Sequence, residues 1–141
     1  MTPDDERFLR RAIELAAEAR AAGDPPFGSL LVGAGGGVLA EERNTTVSGR
    51  DITAHPELKL ARWAGRELAP DVAAATTMYT SCQPCGMCAG AIERSFLGRV
   101  VFALSTGQLA GLKPPAPAAG ARLEGPFLYE EARVPVEGYY R

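Results

Sequence analysis

The one histidine of this 141-residue chain, His55, sits two positions before a carboxylate, Glu57, and upstream of a C-x-x-C pair, Cys85 and Cys88. Zinc takes nitrogen and sulfur donors in a tetrahedron, and one imidazole with two thiolates is such a set. Three protein ligands leave a fourth position for water, which separates a catalytic zinc site from a structural one. Pro56 biases His55 toward extended backbone, so the imidazole belongs at a helix cap, where proline at the first helical position costs little. Glu57 is offset from the imidazole direction, which suits it to reach a zinc-bound water without ligating the metal. Pro84 fixes where the next helix begins, and the free N–H groups and dipole at that helix start favour thiolates at Cys85 and Cys88. A closed structural site would need Cys82 as fourth ligand. Cys82 lies on the strand side of Gln83-Pro84, where a small buried apolar residue is expected.

The elements that must position these residues are legible in outline. Thr2, Pro3 and Asp5 form a start signal, and Phe8, Leu9, Ala12, Ile13, Ala16 and Ala19 recur at helical spacing until Gly23. Phe27 to Ala34 reads as a strand, Gly35-Gly36-Gly37 as a tight connection, and Val38 to about Asn44 as its hairpin partner. A polar loop follows to Thr53. A second helix runs from His55-Pro56 to about Leu68 and is stopped by Pro70. Thr76 to Thr80 reads as a buried central strand, Cys85 to about Arg94 as a third helix, and Arg99 to Leu104 as a fourth strand. Gly111 to Gly120 is expected to be a loop, and Phe127 to about Val136 a last strand, with Pro135 favouring an edge. This order suggests a mixed sheet with helices on its faces.

Composition narrows the class. The chain has the length of one domain, so residues 1–141 are read as a single unit. Apolar residues make up 46% and charged residues 23%, which argues against disorder and against a membrane protein. The start, Thr2 to Glu6, lacks the basic and apolar regions of a signal peptide, so a cytoplasmic location is expected. An odd cysteine count with a C-x-x-C pair points to metal or redox chemistry before a disulfide scaffold. Net charge is −2, and the arginines are scattered among acids. No basic stripe of the kind that binds nucleic acid is present, which counts against that partner.

On these motifs the chain resembles the cytidine deaminase superfamily, in the branch of cytosine, guanine and tRNA adenosine deaminases. That family carries H-A-E followed by P-C-x-x-C, and the residues here are His55-Pro56-Glu57 and Pro84-Cys85-Gly86-Met87-Cys88. Pro26-Phe27-Gly28, Asn44, Asp51-Ile52-Thr53-Ala54 and Met78-Tyr79-Thr80-Ser81-Cys82 extend the resemblance over roughly residues 5 to 105. It implies a three-layer α/β/α sandwich around a five-stranded mixed sheet, and one zinc ion per chain held by His55, Cys85 and Cys88. It also implies hydrolytic removal of an amino group from a small heterocycle, with Glu57 moving protons between water, ring nitrogen and departing ammonia. Asn44 would hydrogen-bond the base edge, Phe27 and Gly28 would line the pocket, and a backbone carbonyl near Gln83 would accept from the leaving amino group. A homodimer is expected on the same ground.

The chain departs from the family at Pro56, where alanine is usual, and at Gln83, where the guanine and tRNA branches carry glutamate. Beyond Leu104 the match fades, and the role of residues 105–141, with Tyr139 and Tyr140, is open. Two rival readings stand beside the main one. The first is a tRNA adenosine deaminase, disfavoured by the acidic charge balance. The second is a non-catalytic binding module stabilised by a coordinatively closed zinc.

Overall fold

The computed structural model describes residues 1–116 and 120–140. Helix α1 (Pro3–Ala21) opens with Thr2, whose hydroxyl accepts from the Asp5 N–H while the Asp5 carboxylate accepts from the Thr2 N–H. That reciprocal cap satisfies two of the donors every helix start leaves unpaired. The hairpin strands β1 (Gly28–Val32) and β2 (Val38–Arg43) pair antiparallel across the glycine turn. Gly36 takes φ 85° there, a backbone state open to glycine at no steric cost.

Helix α2 (Pro56–Glu67) follows His55, and a short α3 (Pro70–Ala74) leads into β3 (Thr77–Cys82). Helix α4 (Gly86–Ser95) and strand β4 (Arg99–Leu104) complete the core, followed by the short helices α5 (Thr106–Ala110) and α6 (Tyr129–Ala132). The sheet order is β2-β1-β3-β4, with β1 antiparallel to β3 and β3 parallel to β4. It is a mixed sheet, as the element order predicts.

Alternation along the strands divides the core. Leu30, Val32 and Tyr79 face α1, packing with Phe8, Leu9, Ala12 and Leu15. Leu31 and Met78 point the other way, against Leu60, Ala61 and Ala64 of α2 and Ile92 of α4. The period-two pattern thus gives each sheet face its own helices. Trp63 packs at the edge of this second cluster.

The sheet has four strands among the described residues, which corrects the expected five. The segment from Phe127 to Val136 is not a strand. Leu128 sits in the left-handed region at φ 54°, Tyr129–Ala132 is helical, and Phe127, Leu128 and Val134 are exposed. The outer edge of β4 stays unpaired among the described residues, and this segment folds into a helical turn instead of reaching it. Pro70 does not merely stop α2 but starts α3, the first-turn role proline suits. The loop expected over Gly111–Gly120 falls partly on residues 117–119, outside the described residues. Among the described residues no helix is long and apolar enough to cross a membrane.

Candidate metal and catalytic site

His55 and Cys85 occupy equivalent places. Each is the extended residue capping a helix, His55 before α2 and Cys85 before α4, and neither side chain caps its own helix. Pro56 at the first position of α2 explains the first cap. The two helices pack against each other, which brings their starts together. Cys88, one turn into α4, is fully buried, while His55 is half-buried and Cys85 exposed.

The result is a cluster of one nitrogen and two sulfurs, all within 4.8 Å of one another. His55 Nδ1 lies 3.6 Å from Cys85 Sγ and 3.4 Å from Cys88 Sγ. A tetrahedral zinc with ordinary bond lengths would separate nitrogen and sulfur ligands by about 3.5 Å. The donors therefore fit zinc in both type and spacing. Burial, with the charges of Glu57 and Cys85, holds the Cys88 thiol well above its ordinary range. Zinc held there would require the thiol to give up its proton.

Glu57 is buried, at 6% exposure. Burial raises its carboxyl above the ordinary value, and its own backbone N–H and the nearby Ser29 hydroxyl offset this only in part. A carboxyl moved toward neutrality can both take and give a proton.

A cavity of about 150 Å³ opens beside these residues. Its reactive side is His55, Glu57 and Cys85, and its walls include Phe27, Asn44 and Cys82. Asn44 is buried and its orientation is set locally: Oδ1 accepts from the Thr46 N–H at 2.8 Å and the Thr46 hydroxyl at 2.9 Å. The amide N–H groups are thereby left for the cavity. The loop carrying Thr46 is tied down by Asp24, which accepts from Val47 and Ser48. These bonds pull the Asp24 carboxyl below its ordinary range, led by the Ser48 N–H.

Gly28 is not among the cavity-lining residues. It faces α1 instead, where a Cβ would meet Leu15 Cβ and would lie 2.6 Å from the Ala16 nitrogen and 2.7 Å from the Ala12 carbonyl oxygen. The glycine permits α1 to press on β1, and Phe27 alone of that pair reaches the cavity. Gln83 lines the rim, but its side chain turns outward: Oε1 accepts from the Thr106 N–H at 3.0 Å and so anchors α5 to the metal loop. Cys82 is buried as expected, yet it also forms cavity wall, and the same burial raises its thiol above the ordinary range.

Two further lining residues, Leu109 and Lys113, come from the stretch after β4 and were not singled out in the sequence. The only signal for them is the helix start at Ser105, whose hydroxyl accepts from the Gln108 N–H while Gln108 reaches back. That capping box fixes a helix but does not say what the helix faces. Tyr139 and Tyr140 are exposed and do not line the cavity.

A mixed sheet whose two packed helices present His, Cys and Cys beside a buried Glu defines the class. The chain belongs to the family described as "cytidine and deoxycytidylate deaminase zinc-binding region", whose model matches residues 2–104. It is a zinc-binding hydrolytic deaminase, with the His55, Cys85 and Cys88 group able to hold one ion.

Among its relatives, the probable cytosine deaminase of Schizosaccharomyces pombe is 31% identical, over 99% of this chain and 94% of that protein. The guanine deaminase of Bacillus subtilis is 35% identical over 94% of this chain and 79% of its own length. Its crystal structure superposes with a TM-score of 0.78 at 30% identity, covering 99% of this chain and 94% of that one. The tRNA-specific adenosine deaminase of Haemophilus influenzae is 37% identical over 72% of this chain, but the match spans only 58% of that enzyme.

Proposed function

We propose that this chain hydrolyses the amino group from a small free nucleobase or related aminated heterocycle, releasing ammonia. The observation that carries the reading is the small cavity lined by His55, Glu57, Cys85 and Asn44. At about 150 Å³ it lies below the ~300–1,000 Å³ of drug-sized ligand sites. A single ring system suits that space better than a nucleoside with its sugar.

His55, Cys85 and Cys88 are proposed as the zinc ligands. Zinc held there would supply Lewis-acid activation of the attacking water. Glu57 is proposed as the proton carrier. It takes a proton from the attacking water and gives it to the ring nitrogen beside the amino-bearing carbon, then takes the proton of the new hydroxyl and gives it to the departing amine. The ring carbon thereby gains oxygen, loses nitrogen and ends as a carbonyl. The Asn44 amide would orient the base, Phe27 would pack against its face, and the Gln83 backbone carbonyl would accept from the amino group before it leaves. We further propose a single domain over residues 1–141, of three-layer α/β/α build, assembled as a homodimer in the cytoplasm.

The Haemophilus relative favours a second reading, editing of adenosine in tRNA. The net charge of −2 counts against it, since RNA binding leans on neutralised phosphates. Ammonia release from cytosine, guanine, isoguanine and adenine, assayed beside a tRNA anticodon stem-loop, separates the two. Turnover of a free base is the expected result. Turnover of the stem-loop alone, or of nothing, contradicts it.

A further inference from the structure

Lys113 is the one lysine or arginine among the described residues that line the cavity. An exposed lysine is by default a solvated one. Three observations set this one apart.

Its place is fixed from the metal loop. Gln83 Oε1 holds the Thr106 N–H, the Ser105–Gln108 capping box sets α5, and the Leu112 N–H donates to the Leu109 carbonyl at 2.9 Å, one residue before Lys113. Among the described residues, no carboxylate pairs with it.

The third observation concerns the polarity of the rim. The two side-chain amide oxygens available to the cavity are both engaged elsewhere, Asn44 Oδ1 by Thr46 and Gln83 Oε1 by Thr106. Glu57 is the remaining side-chain oxygen, and the reaction uses it. What the cavity's side chains offer to the rest of a substrate is therefore N–H donors, from Asn44 and Lys113. A donor-lined rim pairs with oxygen and leaves a second amino group facing N–H groups, with its own hydrogens unpaired.

We propose that Lys113 is a specificity-determining residue. With the Asn44 amide, it selects aminated heterocycles whose non-reacting edge carries an oxygen acceptor, over analogues carrying a second amino group there. The oxygen is a ring carbonyl or an anionic substituent. This rests on the deaminase reading above.

The test compares wild type, Lys113→Met and Lys113→Arg on matched pairs: cytosine against diaminopyrimidine, and guanine against diaminopurine. Lys113→Met should lower the oxo-over-amino preference in kcat/KM about tenfold, the worth of one charge-assisted hydrogen bond at an exposed rim. The loss should fall in KM, and Lys113→Arg should restore most of it. A carboxylated cytosine separates the two oxygen sources: a larger loss for it than for cytosine marks an anionic substituent. Calorimetric titration with uracil and xanthine judges Lys113 without turnover, through weaker binding in Lys113→Met. If wild type releases no ammonia from any base, the deaminase reading fails, and the titration still decides the role of Lys113. An unchanged preference and unchanged affinity in Lys113→Met, or no binding of either dioxo ring to wild type, overturns the proposal.

Discussion

His55 Nδ1 and Cys88 Sγ approach to 3.4 Å across the packed first turns of α2 and α4. The two residues lie 33 positions apart in sequence, and neither helix alone could assemble the cluster. Pro56 sets one helix start, the Pro84-Cys85 step sets the other, and packing of α2 on α4 fixes the gap between them. The metal centre is thus a property of the helix pair, with the sheet as its support.

Glu57→Gln should retain zinc and lose at least ~100-fold in kcat, the low end for general acid–base catalysis. The amide keeps the shape of the carboxyl but cannot carry a proton. Ammonia release and metal content, measured on one preparation, check this. Near-normal turnover would remove Glu57 from the mechanism.

His55→Ala should abolish stoichiometric zinc, since two sulfurs alone are a poor tetrahedral site. Elemental analysis of the purified variant reads this directly. Zinc retained at one per chain would mean that other residues hold it.

Gly28→Ala should destabilise the fold by about 1–3 kcal/mol, the usual range for overpacking. The new Cβ would face the Ala16 nitrogen at 2.6 Å and the Ala12 carbonyl oxygen at 2.7 Å, both backbone atoms with little room to yield. A lower urea midpoint with unchanged slope is the expected readout. An unchanged midpoint would show that α1 does not press on β1 as described.

Much of the site was legible because its signals are local. Thr2 and Asp5, Pro56, and the Pro84-Cys85 step all act on their own neighbourhood, and strand β4 runs from Arg99 to Leu104 as its β-branched pattern suggests. What was not legible depends on packing partners distant in sequence. The family resemblance puts Gly28 in the pocket wall beside Phe27, yet its open side is filled by α1. The sequence points to the backbone carbonyl near Gln83 and is silent on its side chain, which Thr106 of α5 takes up. Lys113 sits in a proline-rich stretch without periodicity, and only the Gln83 anchor of α5 reveals where it goes. The expected fifth strand failed for a related reason: β4 offers an open edge, but apolar residues at Phe127, Leu128 and Val134 do not by themselves specify that the segment docks on it.

Asp5 provides a pH signature. Arg99 foremost, then the Thr2 N–H and the Tyr79 hydroxyl, hold its carboxyl well below the usual carboxylate range. Arg99 contacts both oxygens, at 3.0 and 2.9 Å, and the Tyr79 hydroxyl donates at 2.7 Å. The folded state therefore binds this proton less readily than the unfolded one. Its stabilising contribution is whole above the ordinary value of 3.8 and is lost as pH falls toward the depressed folded value. The stability gap between wild type and Asp5→Asn should be widest near neutrality and narrow below about pH 4. Denaturation series at several pH values check this, and a constant gap would contradict it.

Zinc K-edge X-ray absorption on the zinc-loaded protein bears most directly on the metal centre. Two sulfur scatterers at ~2.3 Å and two lighter ones at ~2.0–2.1 Å are expected, one light atom from His55 and one from solvent. A third sulfur, which would bring Cys82 into the coordination sphere and close the site, would contradict a catalytic centre.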